Sequence, residues 1–186
     1  MRGWATWLLV TLGLAVVVHV AAVRLLPYGI MWVVMRRGAE VAGWNAPLHP
    51  PLATSAARAI VRPSPDLAYT SCMFDVRAAP LLVSAPVGNG YASVSMFADN
   101  TDNFFALNDR QAEGASIDVV VAGPHTPPFD AGGRRVVRSP SDRGIVLVRR
   151  VVENPEHFVA VDQLRRRARC EPLPPPAGPM RAAPTG

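Results

Sequence analysis

Apolar positions run without a charge from Trp4 to Val23, bounded by Arg2 and Arg24. About twenty residues at roughly 1.5 Å each give about 30 Å, the depth of a bilayer's hydrocarbon layer. Leu and Val fill the middle, and Trp4 and Trp7 stand where an aromatic belt meets the headgroups. Residues 1–26 therefore read as a single transmembrane anchor. A cleaved signal peptide is the competing reading, because Val20-Ala21-Ala22 offers small residues for a peptidase. The apolar run is longer than the usual signal core, which favours a retained anchor. His19 is the one ionisable side chain within it, read as a neutral imidazole near the far headgroups.

The next stretch, Leu25 to Met35, is apolar but too short to span. Pro27 and Gly29 predict a kink or break. The segment reads as an interfacial helix, with Tyr28 and Trp32 at headgroup depth and Arg36 and Arg37 among phosphates. A helix packed on the body is the alternative. Prolines 47, 50, 51, 63 and 65 then make residues 45–65 a strap biased to extended backbone, with a helical turn or two over 53–59. Together, residues 27–57 form the interfacial helix and linker.

From Ala68 to Val152 the period shortens to that of strands. Ala92, Val94 and Met96 alternate with Ser93 and Ser95. Strands are also predicted over 69–76, 80–85, 117–122, 135–138 and 145–149. The turns Gly88-Asn89-Gly90 and Ser139 to Gly144 separate neighbours among them. Short strands broken by Gly and Pro imply a mainly β domain, a sandwich or partial barrel, over residues 58–171. One C-terminal helix is predicted over 155–169. Asn154 is its N-cap, Pro155 its first position, and Phe158, Val161, Leu164 and Ala168 share a face. Arg165, Arg166, Arg167 and Arg169 read as a solvated last turn favoured by the helix dipole. Residues 172–186, rich in Pro and small side chains, read as a disordered tail.

Net charge is +5, carried wholly by arginine. Without a nucleic-acid motif or basic-aromatic interleaving, attraction to lipid headgroups suits that charge better than nucleic acid. Cys72 and Cys170 are the only cysteines. They form no Cys-x-x-Cys pair, which argues against zinc or redox motifs. A bridge between them would staple the domain in an oxidising compartment; two separately buried thiols are the alternative.

Candidate chemistry is thin. Asp99, Asn100, Thr101, Asp102 and Asn103 offer calcium-type oxygens, but without EF-hand spacing, and turn capping explains them as well. Asp66, Tyr69 and Arg138 would form a polar site if the strands bring them together, or merely stiffen the domain. His49, His125 and His157 could serve a serine hydrolase, yet the chain has no Gly-x-Ser-x-Gly elbow. The expectation is no metal, no cofactor and no catalytic residue, with Asp66, Tyr69, Asp99, Asp102 and Arg138 as ligand-binding candidates.

Several short motifs arrive in order: Pro65 to Ser71, Phe74-Asp75-Val76, Tyr91, Asp99/Thr101/Phe104, Ala122-Gly123-Pro124, and Arg138-Ser139-Pro140 through to Arg149. Over roughly Arg58 to Leu173 the chain resembles the bacterial family known as domain of unknown function 1254. Ser64 stands where the family often has Asn, and Thr70 where Ser is usual. The resemblance implies a β-rich fold, no settled catalytic residues, and a companion domain, 1214, on the same or a neighbouring protein. A bare count of arginines near the anchor would leave the body in the cytoplasm. The short leading tail, the two cysteines and the resemblance favour export. The expectation is a single-pass inner-membrane protein with a non-catalytic binding module in the periplasm. The alternative is a subunit of a hydrolase-type enzyme completed by a partner carrying the companion domain.

Overall fold

A computed structural model describes residues 3–54, 57 and 63–173. The tail over 174–186, Arg2, Arg58 and part of the 53–59 turn lie outside the described residues. The chain opens with a 40-residue helix, α1 (Gly3–Ala42). Nine strands follow among the described residues: β1 (Pro47–Leu48), β2 (Leu67–Asp75), β3 (Leu81–Pro86), β4 (Ala92–Ala98), β5 (Asn103–Asn108), β6 (Ser116–Ala122), β7 (Arg135–Arg138), β8 (Arg143–Val151) and β9 (Arg169–Pro172). A second helix, α2 (Pro155–Arg165), precedes β9.

The strands make two sheets, ordered β1-β2-β8-β4-β5 and β7-β6-β3-β9. All neighbours are antiparallel except the parallel pair β6 and β7. Alternation explains the packing. Cys72, Phe74, Val94, Met96, Val146 and Val148 of the first sheet meet Leu81, Val83, Ala85, Ile117, Val119 and Val121 of the second in one buried cluster. Each full burial of such a side chain is worth about 1.5–3 kcal/mol, so this seam holds the sheets face to face. The domain is a sandwich, mainly β.

Two turns behave differently from hairpins. Gly88 and Gly90 take positive φ, +67° and +93°, as the turn reading requires. Yet β3 and β4 lie in different sheets, so this turn carries the chain across the core. The segment between β7 and β8 does the same.

The predicted helix over 155–169 is shorter than its pattern. Asn154 Oδ1 does accept from His157 N at 2.8 Å. The helix stops at Arg165, and short backbone bonds from Arg167 and Ala168 to Leu164 and Arg165 close it. Residues 169–172 instead satisfy the open edge of β3, with Cys170 opposite Val83.

The break expected at Pro27 is absent, because α1 runs through it. Proline removes one ladder bond at a cost of about 3 kcal/mol. Long runs of intact ladder on both sides, and packing of the far end, outweigh it.

Candidate membrane-contact site and the polar clusters of the body

Helix α1 has two environments. Over residues 3–30 no side chain is buried; Trp7 is 73% and Leu9 70% exposed. The helix is long and apolar enough to cross a membrane. Its last turns dock on the outer face of the five-stranded sheet. Met31 and Met35 are buried there with Met73, and Ala39, Leu48, Phe97 and Ile145 pack around them. Gly38 permits this approach, since a Cβ there would collide with the Met73 side chain.

The chain leaves α1 through a built joint. Gly43, at φ +88°, donates its N–H to Ala39 O at 2.8 Å, a left-handed helix end. Asn45, also at positive φ, then hooks onto β2. Its N–H donates to Met73 O, and its side chain both donates to Asp75 O and accepts from Asp75 N, all at 2.8 Å. Asp75 in turn accepts from Arg77 at 2.6 Å and from Arg143 at 2.9 Å. The hydrogen bond from Arg77 holds its carboxyl at about 2, with Arg143 adding to the effect against partial burial. The Arg143 guanidinium also lies 4.6 Å from the centroid of the Trp44 ring. Backbone, ring and charge thus fix the direction in which the helix leaves the body.

The polar candidates scatter. Tyr69 lies in β2 and its hydroxyl accepts from Ser64 N at 3.0 Å. Asp66 is exposed, with its carbonyl taking Val152 N. Arg138 ends β7 in the other sheet and donates to the carbonyls of Gly123 and Thr126 at 3.3 Å. These three residues do not converge. The Asp99 to Asn103 cluster builds the β4–β5 turn: Thr101 has φ +75°, and Asn100 and Asp102 bond each other. Asp99 stands apart, its carboxyl raised by burial and then by the Asp142 charge. Among the described residues no three His, Cys, Asp or Glu side chains gather to hold a metal ion.

The cysteines meet: Cys72 of β2 and Cys170 of β9 form a disulfide between the sheets, with Cα atoms 6.5 Å apart. His49 shares a 2.9 Å hydrogen bond with the Thr70 hydroxyl, and burial, then Arg165 and Arg166, lower its pKa. His125 is exposed on the loop after β6. His157 lies in the first turn of α2.

Two arginines lie where the sequence did not place them. Arg165, expected in a solvated turn, is 2% exposed. It donates to Pro50 O and Tyr69 O at 2.8 and 2.6 Å and pairs with Asp162, tying α2 to the strap and β2. The signal was Asp162, one turn earlier on the same face. Arg166 is exposed on the far side of Asp162. Arg150 is 3% exposed inside the sandwich, between Ala68 and Ala92 in register, and donates to Val87 O at 2.7 Å. Only the small neighbours hinted at room for it.

An open concavity of about 740 Å³ lies beside the turn into β4, lined by residues including Tyr91, Asn108, Asp109 and Arg110. Asp109 there already accepts from Ala92 N at 3.3 Å.

The family model described as "Protein of unknown function (DUF1254)" matches residues 44–172. No curated protein matches. Among solved structures, the VPA0106 protein of Vibrio parahaemolyticus superposes with a TM-score of 0.63 at 16% identity, over 89% of this chain and 42% of its own. An uncharacterised protein from Burkholderia cenocepacia gives a TM-score of 0.47 at 20% identity, over 87% of this chain and 43% of its own. The first of these likenesses concerns fold alone. The chain spans less than half the length of either.

Proposed function

The chain belongs to the family of unknown function DUF1254, and on that premise we propose that it is a non-catalytic binding or interaction module held at the bacterial inner membrane, with its sandwich in the periplasm. The observation that carries this reading is α1. Over residues 3–30 it presents an apolar surface that nothing among the described residues covers, while its end is locked to the sheet. Apolar helix of bilayer length with no protein partner is stable in lipid and costly in water.

The inter-sheet disulfide supports the periplasmic side, since such bonds persist in oxidising compartments. The partner is a protein, one carrying the companion 1214 domain being our candidate. The polar groups of the body favour a structural over a catalytic use: Asp75 is taken up by Arg77 and Arg143, Asp162 by Arg165 and Arg166, and Arg165 also by the carbonyls of Pro50 and Tyr69.

The test is extraction followed by co-purification. The full chain should stay in the pellet when membranes are washed with alkaline carbonate, and should bring a protein partner out in mild detergent. A chain that washes off refutes the anchor. A lone protein that hydrolyses an ester or glycoside probe refutes the non-catalytic reading.

A further inference from the structure

Resting on the anchor reading above, we infer that lipid contact does not stop at Arg24: a second collar, Leu25 to Val33, lies in the headgroup layer, and Arg36 and Arg37 reach lipid phosphates. Three observations meet here. First, Leu25, Leu26, Tyr28, Ile30 and Trp32 are each about half or more exposed, at 66%, 61%, 49%, 50% and 56%. The sandwich takes the stripe of Met31, Met35 and Ala39, so among the described residues the collar's other sides have no cover.

Second, the helix is unbroken through Pro27, so the collar continues the span in one element. Residues 3–35 amount to about 50 Å of helix. A bilayer with both headgroup layers is about 40–45 Å thick. A tilt of about 30° reconciles the two lengths and lies within the range of roughly 0–40° seen for spanning helices. Held upright with Arg24 at the hydrocarbon edge, the helix would lift Trp32 about 12 Å further, above the interface that aromatic rings favour.

Third, the charge pattern fits phosphate. Arg36 and Arg37 close the apolar surface together and are exposed. Arg36 lies 5.3 Å from the Trp32 ring centroid, which sets cation and aromatic at one depth. Its ion pair with Glu40 is surface-exposed and so weak. Arg37 has no ion pair among the described residues. Lipid is the occupant because the collar is continuous with the span and ends in cations.

The test uses the full chain in vesicles of phosphatidylethanolamine and phosphatidylglycerol brominated near the carbonyl end of the acyl chain. One variant keeps only Trp32, with Trp4, Trp7 and Trp44 changed to Phe; a second keeps only Trp7. We expect Trp32 fluorescence to fall at least twofold with bromolipid and to resist aqueous iodide. Iodide quenching of Trp32 with bromolipid quenching of Trp7 overturns the collar and leaves the anchor standing. Shielding of Trp32 from both quenchers also overturns it, in favour of a protein partner. Loss of bromolipid quenching at Trp7 as well overturns the anchor itself. Because Trp44 packs under Arg143, a Trp32→Phe change in the otherwise native chain provides the control: it must lower shallow-bromine quenching, and an unchanged value overturns the collar.

Discussion

The two parts of α1, residues 3–30 and 31–42, are both rich in apolar side chains and end in opposite surroundings. Leu, Val and Ala dominate residues 3–30, and none of these side chains is buried. Met31, Met35 and Ala39 are no more apolar, yet they are packed against Met73, Phe97 and Ile145. The difference lies in spacing and size. The second part gathers its docking residues four apart on one stripe and places Gly38 beside them for close approach. The first part is apolar all round, the mark of a helix whose surroundings are apolar on every side. One part needs a sheet and the other needs a solvent.

Changes that separate the two parts test that contrast. The largest effect is expected in the body alone. Cys72→Ser opens a bridge closing 98 residues of separation, worth about 4–5 kcal/mol in the loop-closure model. The melting temperature should fall steeply while membrane partition stays unchanged; equal melting with and without reductant would remove the bridge from the account. Val16→Arg should do the reverse. It adds about 2.5–3.5 kcal/mol to insertion at mid-helix, shifting protein out of the membrane pellet while body melting holds. Met35→Ala acts between the two, at about 2 kcal/mol or more for a buried methionine. It should loosen the joint, seen as faster hydrogen exchange over the last turns of α1 with the core strands still protected.

The smallest effect is pH-dependent. Asp75 has its folded pKa depressed to about 2 from an ordinary 3.8 by Arg77 and Arg143. Its contribution is therefore complete above about pH 4 and lost as pH falls toward 2. Because Arg77 is exposed, the change should be small. Asp75→Asn should flatten it, and an unchanged acid profile in that variant would show that the joint draws nothing from the charge.

Much of this architecture was legible because burial follows period. Alternation in Ala92 to Met96 marked a strand, but its one-faced reading fails because Ser93 and Ser95 are buried too and both faces of β4 are covered; Asn154-Pro155-Glu156 marked a helix start. What escaped was decided between elements. Strand β5 hides in Asn103 to Asn108, an edge strand whose exposure does not alternate cleanly. Strand β9 looks helical in sequence and is strand only because β3 has an open edge. The joint at Trp44 and Asn45 rests on bonds to Met73 and Asp75, some thirty residues away, and no local pattern announces it. Of the candidate polar residues, the Asp99 to Asn103 group was readable as a turn. The separation of Asp66 and Tyr69 from Arg138 depends on which sheet each strand joins, which spacing does not reveal.

The central claim is that the leading helix stays on the molecule and lies in lipid. Mass measurement of the protein recovered from carbonate-washed membranes of cells with intact processing tests it most directly. We expect a chain that still carries Trp4 to Val23, found in the membrane fraction. A soluble species beginning near Val23 would contradict it.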